Sequence, residues 1–412
     1  MRAVGPGFIT GAADDDPSGI ATYSQTGVLF GYSQLWVALF SYPFMTAVQE
    51  MCGRIGIVTG KGLSGVIKKY YSRKTLAAAV SILLIANIIN IGADLGAMAA
   101  SLGLLLPVPF PTLLFAIAAL TLLLEIFVPY PAYARFLKYL TLSLLAYVAT
   151  AFIVHQDWRL IAHATFVPHI VLSRDYILNI AAFLGTTISP YLFFWQADEE
   201  VEEEIVRHEL RGMGKGTPKI KPTDLEELRI DTSLGMLFSN LITFFIIVTV
   251  ASTLGAAGVA SVATAADAAS ALRPLAGDFA FLLFALGIVG TGLLAVPVLA
   301  GSAAYAVAEA FGWREGLGKR FGQARGFYGV IALATLLGLG VSFAGIAPMT
   351  MLYWAAMLNG VLAPPLIVII LLIGNNKKIM GEHVNSRISN ILGWAIAALM
   401  GAVALGFFWA IA

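Results

Sequence analysis

The chain has 412 residues, of which 59% are hydrophobic and only 12% charged, against about 25% charged in an ordinary soluble domain. A formal net charge of +1 singles out no charged partner, and no nucleic acid is expected among the partners. The single cysteine, Cys52, excludes a disulfide framework and a multi-thiolate metal site.

Long apolar stretches recur along the chain, such as SILLIANIINIGADLGAMAASLGLLL and VLAPPLIVIILLIG. Segments of about 20 apolar residues are candidates to span a bilayer. A barrel would show alternating segments of about ten residues, and the sequence has none. The expected class is an all-α polytopic membrane protein embedded in lipid. No signal peptide is expected, because the few apolar residues after Arg2 run into Asp14 without a cleavage-like site. Apolar windows predict eleven spans, at about 5–30, 34–57, 75–105, 109–127, 133–155, 177–205, 232–256, 277–311, 327–344, 348–373 and 389–411.

The first span contains GAADDDPSGIATY, in which Asp14, Asp15 and Asp16 meet Pro17, Ser18 and Gly19. Proline removes a donor and clashes with the preceding turn, so the helix breaks here. Unwound backbone at membrane depth is tolerated where it lines a cavity, and a carboxylate there is costly and functional by default. Asp16 sits at the break itself, beside the Ser18 hydroxyl. Asp14 and Asp15 leave open a solvated or helix-capping place at the mouth. The second span closes on Gln49 and Glu50 near Arg54, where a structural ion pair is expected. In the third, Asn87, Asn90 and Asp94 share one face at helical spacing. The asparagines are expected to bridge helices, and Asp94 to act as a pathway group near the break. Glu125 of the fourth span is assigned a helix-packing role.

His155, His163 and His169 in the outer loop at 155–176 fit no compact metal motif. Trp36 and Trp158 read as interfacial anchors. The sixth span breaks at Ser189-Pro190 within GTTISPYLFF. It ends in QADEEVEEEIVRHEL, for which a solvated helix surface is expected; the sharper alternative is an acidic funnel that concentrates cations. The following GMGKGTPKIKP lacks the spacing of a phosphate-binding loop. The tenth span carries the polar step Asn359-Gly360.

Charge placement agrees with this span order. With a cytoplasmic N-terminus, the inner loops hold Lys61, Lys68, Lys69, Arg73 and Lys74, then Arg135 and Lys138. They also hold the basic residues of 207–229, 314–325 and 377–387, while the outer loops hold only Arg159, Arg174 and Arg273. An odd span number places the C-terminus outside. The broken spans, one and six, stand five apart, which divides the chain into an inverted pair of five-helix repeats, about 5–155 and 177–373. The helix at about 389–411 is an addition. Paired broken helices in an inverted repeat point to a substrate site at the midplane. Hard oxygen ligands such as Asp16 suit Mg²⁺, Ca²⁺ or Mn²⁺.

DPSGIATYSQTG, QEMCGRIGIVTGKGL, NIGADLGAMA and GTTISPYLFF follow, in order and spacing, the Nramp divalent-metal transporters, which this chain resembles. The resemblance implies the inverted-repeat fold of sodium-coupled amino-acid transporters, with metal held between broken helices one and six. Typical members read D-P-G-N in span one and A-x-x-M-P-H in span six. Here Asp16 is kept, Gly19 stands in the Asn position, Thr186 in the Ala position, Ser189 in the Met position and Tyr191 in the His position. Loss of the thioether removes a soft ligand, and Gly19 and Ser189 both shed volume. A roomy, oxygen-lined site suits an ion such as Mg²⁺ that keeps several waters. The pattern is similar to the Nramp-related magnesium transporters.

The family's proton relay is also thinned. Asp94 is present, but Ala97 and Tyr191 replace a Glu and a His, and span nine, FYGVIALATLLGLGV, has no basic residue. The expectation is import of Mg²⁺, with Mn²⁺ alongside, as partly hydrated ions and without proton coupling. Metal ligands are expected at Asp16, Gly19, Thr186 and Ser189, supported by Asp15, Ser18, Tyr191, Asp94, Asn90 and Asn359. No resident cofactor, a monomer and a bacterial inner membrane are expected. The alternatives are a proton-driven Mn²⁺ or Fe²⁺ importer and a trivalent-ion carrier. An intramembrane metalloenzyme is disfavoured because no span carries a His-Glu-x-x-His cluster.

Overall fold

A computed structural model describes residues 5–128, 142–216 and 218–411, and every described element is helical, with no strand. Helices α1 (Pro6–Asp14) and α2 (Pro17–Phe30) are two halves of one interrupted rod. They are followed by α3 (Leu35–Thr59), α4 (Leu63–Tyr70), α5 (Arg73–Gly103) and α6 (Phe110–Phe127). After the undescribed 129–141 come α7 (Leu145–Ile153) and α8 (Trp158–Phe166). A second interrupted rod is formed by α9 (Arg174–Thr187) and α10 (Pro190–Val206). The remaining long helices are α11 (Pro222–Val250), α12 (Ala280–Phe311), α13 (Arg325–Val341), α14 (Pro348–Gly374) and α15 (Arg387–Ile411).

Both interruptions have the same local cause. Pro17 and Pro190 each occupy the first position of a helix, where a missing N–H costs nothing and the fixed φ suits the first turn. Neither could have extended the helix before it. Proline inside α3, α12 and α14 (Pro43, Pro297, Pro364 and Pro365) does not end those helices, because neighbouring helices in a membrane protein supply alternative partners.

Among the described residues, seven helical stretches are long and apolar enough to cross a bilayer. They are α5, α6, the α9–α10 rod, α11 with its final turn, α12 with the residues before it, α14 and α15. Helices also occupy the other four expected spans, but α1–α2 is broken, α3 is more polar, and α7 and α13 are short. Length and composition therefore do not by themselves fix the count at eleven. The start of the expected fifth span, with Arg135 and Lys138, lies outside the described residues. Apolar side chains such as Phe127, Leu333 and Leu405 face outward, as a lipid-facing surface requires.

The interrupted rods lie in the interior. Helix α1 packs on α11, α9 on α14, α10 on α3, and α5 on α12 and α13. Small residues permit the closest approaches. A Cβ at Gly360 would strike the Ala181 carbonyl, and one at Gly185 would strike the backbone of Ala356 and Gly360. Glycine at both positions lets α9 and α14 touch through their backbones, the packing mode that replaces the hydrophobic effect between helices in lipid.

Candidate functional site

The two breaks face each other. Asp16 is the N-cap of α2; its Oδ1 accepts from the Gly19 N–H at 2.8 Å and from the Ser18 hydroxyl at 2.6 Å. This is an ordinary capping arrangement, and it holds the carboxylate at the break. The Ser18 hydroxyl also lies 3.2 Å from the Thr186 hydroxyl, across the gap between the rods. Tyr191, in the first turn of α10, donates to the Ala13 carbonyl at 3.0 Å and reaches Asp16 Oδ2 at 3.5 Å. Tyr23 and Thr187 place their hydroxyls 3.2 Å apart nearby. Ser189 donates to the carbonyls of Gly185 and Thr186, at 2.8 and 2.9 Å, so its oxygen sits at the open end of α9.

Asp16, Ser18, Thr186, Ser189 and Tyr191 thus stand together at the two breaks, and all are buried. Gly19 contributes differently. It has no side chain to ligate with, and its N–H is used on Asp16. Its contribution is space, since a Cβ there would meet Tyr23, the Asp14 carbonyl and Thr186 at 3.2 to 3.4 Å.

Asp14 and Asp15 do not lie at a solvated mouth. They are 0% and 1% exposed, because α11 covers them. The Ser239 hydroxyl of α11 is 2.7 Å from Asp14 Oδ2 and 3.2 Å from Asp15 Oδ1. One hydroxyl carries one proton, so it satisfies only one carboxylate at a time. Asp14 Oδ1 and Asp15 Oδ2 accept no hydrogen bond. Asp94 is also buried with both oxygens unpartnered, near enough to Asp16 for their charges to interact. Among the described residues, no Lys, Arg or His bonds to any of these four carboxylates. Such a concentration of buried negative charge is sustained only by cations or protons that enter it.

Asn90 and Asn359 are near the breaks but turn to each other, with side-chain hydrogen bonds of 3.0 and 3.3 Å across α5 and α14. Their donors go to protein, as does that of Asn87, which bonds Leu299 O and Ser302 Oγ. Helix bridging accounts for all three. The Glu50–Arg54 ion pair is present at 3.2 Å, and Arg54 also donates to His383 O and Val384 O. The acidic run of α10 is a solvated surface only in part, since Glu203 and several residues after it keep some exposure. Asp198 is inaccessible and Glu200 and Glu204 are buried, because α3, α12 and the 60–65 turn pack over it.

Three side chains that sequence patterning does not single out complete the surroundings. Ser239 closes the site from α11. Asp231, two turns away on the same helix, accepts the N–H groups of Gly5, Gly7 and Phe8 at 3.2, 2.7 and 3.2 Å. It thereby satisfies the open N-terminus of α1 and pins it to α11. Asn179 joins α9 to Thr26 of α2 at 2.9 Å and to Tyr353 of α14 at 2.9 Å. No local signal marks these three, since each acts on a segment more than 150 positions away.

Comparison with known proteins gives a consistent result. The family described as natural resistance-associated macrophage protein-like (Nramp) matches residues 7–410. A divalent metal cation transporter MntH of Klebsiella pneumoniae subsp. pneumoniae is 26% identical over 407 residues, covering 97% of this chain and 92% of the relative. The Bacillus subtilis protein of the same description is 25% identical, with 98% and 91% covered. Among solved structures, the manganese transporter of Eremococcus coleocola superposes with a TM-score of 0.78 at 15% identity, covering 99% of this chain and 86% of that one. Mhp1, a nucleobase-cation-symport-1 family transporter, superposes with a TM-score of 0.62 at 13% identity, with 99% and 93% covered. At such identities the structural likeness speaks to the fold alone.

Proposed function

Because the chain belongs to the natural resistance-associated macrophage protein-like (Nramp) family, we propose that it imports Mg²⁺, with Mn²⁺ alongside, as partly hydrated ions, by alternating access and without proton coupling. The observation that carries this reading is the Asp16 carboxylate, held at one helix break and facing a second break that offers only oxygen donors. The relatives' descriptions as divalent metal cation transporters support the substrate class. Mg²⁺ takes oxygen ligands, dehydrates reluctantly and is held by one or two carboxylates with several waters retained. Asp16, Thr186 and Ser189, with carbonyls freed at the breaks, match that demand.

Movement follows from the same architecture. The rods α1–α2 and α9–α10 form a bundle that rocks against α3, α5, α12 and α13, opening the site to one side at a time. The two five-helix repeats, about 5–155 and 177–373, supply the symmetry between the two open states. An inner bacterial membrane, a cytoplasmic N-terminus and a monomeric transporter complete the proposal. A negative interior favours entry by about 2.3 kcal/mol per charge per 100 mV, doubled for a divalent ion, so uptake needs no proton. Beyond Arg325 at its first position, helix α13 offers no basic residue to relay one.

One observation favours a second reading. Asp94, buried with two unpartnered oxygens, is suited to carry a proton in a proton-driven Mn²⁺ or Fe²⁺ importer. Purified protein in liposomes separates the two when loaded with a metal indicator and a pH indicator. Uptake of Mg²⁺ and Mn²⁺ with constant internal pH is expected, and Asp16→Ala should abolish it. Acidification that tracks Mn²⁺ entry, or vesicles impermeable to Mg²⁺, overturns the proposal.

A further inference from the structure

Outside the transport site, Asp198 is a buried carboxylate eight residues into α10 and about 12 Å beyond the break at the rise of an α-helix. It is 0% exposed, and neither carboxylate oxygen has a hydrogen-bond partner. It faces the turn between α3 and α4. A Cβ at Gly62 would collide with Asp198 Oδ1 and stand 2.7 Å from Glu309 Oε2 of α12. Gly62 has an ordinary φ of −68°, so backbone conformation does not demand glycine there. The two carboxylates meeting over its Cα do.

Glu309 is held in place by two N–H groups at the start of α4, Gly62 at 2.8 Å and Gly65 at 2.7 Å. Positive charge stands close but is directed elsewhere: Lys68 Nζ goes to the Glu309 main-chain oxygen at 3.1 Å, and Lys61 Nζ to the Gly214 carbonyl at 3.4 Å. Two more acids crowd the same corner. Glu202 accepts the Tyr305 hydroxyl at 3.0 Å. Glu315, outside the spans, has its carboxyl pushed up to about 9, first by burial and then by Glu309. One Glu315 oxygen has no partner.

We propose that Asp198 and Glu309 hold a second divalent cation, on the face of the protein that carries Lys61 and Lys68, one helix segment beyond the transport site. A single proton shared by the pair would offset one of its two charges, whereas a divalent ion offsets both. Among the described residues, no three His, Cys, Asp or Glu side chains converge as a full ligand set, so the ion keeps water on its remaining positions. That is the habit of Mg²⁺ and of hard cations held by two carboxylates. Since α10 begins at the transport site and carries Asp198, an ion bound here also ties that half-rod to α12 and to the α3–α4 turn. The ion's identity rests on the proposed divalent transport; the site's existence rests on Asp198.

The test counts ions. Mn²⁺ binding to the purified full-length protein is measured by the loss of the free Mn²⁺ paramagnetic resonance signal. Two ions per chain are expected, and Asp16→Ala and Asp198→Asn should each remove one, from different binding phases. Asp198→Asn keeps shape and removes charge, and its remaining Mn²⁺ phase reports that the fold is intact. Gly62→Ala, which displaces the Asp198 oxygen without altering charge, should weaken the second phase tenfold or more and leave the first unchanged. If Asp198→Asn binds as many ions as the parent, or the parent binds only an ion that Asp198→Asn retains, the second site does not exist. If Asp198→Asn removes an ion while Asp16→Ala removes none, the second site stands and the transport site has been misplaced.

Discussion

Asn90 of α5 and Asn359 of α14 bond to each other in both directions, at 3.0 and 3.3 Å, with no exposure to solvent. A reciprocal amide pair satisfies both side chains only while both are present. Replacing Asn90 strips Asn359 of both its donor and acceptor partners, whereas replacing Asn359 leaves Asn90 its bond to the Ala86 carbonyl but orphans its acceptor, each at a cost of about 1–3 kcal/mol. Asn359→Leu and Asn90→Leu are therefore each expected to lower the thermal midpoint in detergent. The double variant should fall by less than the sum of the two. Additive losses would show that the pair acts through separate contacts.

The Ser18 hydroxyl sits 2.6 Å from Asp16 and 3.2 Å from Thr186, which ties the two breaks together without charge. Ser18→Ala leaves Asp16 Oδ1 with the Gly19 N–H alone, and Oδ2 with the long Tyr191 contact. The loss is one hydrogen bond to a charged group, about 1.5–3 kcal/mol. Transport should persist with a Mg²⁺ KM raised at least several-fold, in contrast to the silence of Asp16→Ala. Liposome uptake over a range of Mg²⁺ concentrations distinguishes the two, and an unchanged KM counts against a role for Ser18 at the ion.

Much of this site is legible in the chain because proline chemistry is local. Pro17 and Pro190 end the helices before them whatever surrounds them, so Asp16 and Ser189 announce themselves. What the chain does not disclose is who covers whom. Asp14, Asp15 and Asp198 look like solvated acids in a linear reading. They become buried ones only when α11 folds over α1 and α12 over α10. Gly19 illustrates a second limit. Its place in the motif suggests a ligand position, but its N–H serves Asp16 and its missing side chain serves the cavity. Ser239 and Asp231 have no signature at all, since a serine and an aspartate on a helix acquire meaning only from their distant partners.

Selectivity should respond to the two positions that shed volume and sulfur. Met at Ser189 would bring a soft thioether beside Asp16, and Asn at Gly19 would fill space now bounded by Tyr23 and Thr186 at 3.2 to 3.4 Å. Thioethers favour transition metals over Mg²⁺. The double variant Gly19→Asn, Ser189→Met is expected to lose most Mg²⁺ uptake while Mn²⁺ uptake continues. Competition of Mg²⁺ against Mn²⁺ in the same vesicles measures this directly. Equal loss of both ions would mean that space at the break, not ligand softness, decides what passes.

Asp231 pins α11 to the start of α1. Its carboxylate takes three main-chain N–H groups at the start of that helix, where a negative charge is also favoured by the helix dipole. Asp231→Ala returns those donors to water and frees the half-rod to swing. Even 1.4 kcal/mol shifts an open–closed equilibrium tenfold. Cys52, the one native cysteine, is buried, so a reporter cysteine can be read on a Cys52→Ser background. Ala13 is inaccessible, with its carbonyl bonded to Tyr191. In an Ala13→Cys reporter, maleimide labelling should quicken several-fold when Asp231→Ala is added, because α1 must leave α11 before the thiol is exposed. Labelling at the same slow rate would place the hinge of opening elsewhere and leave Asp231 as an anchor that does not move.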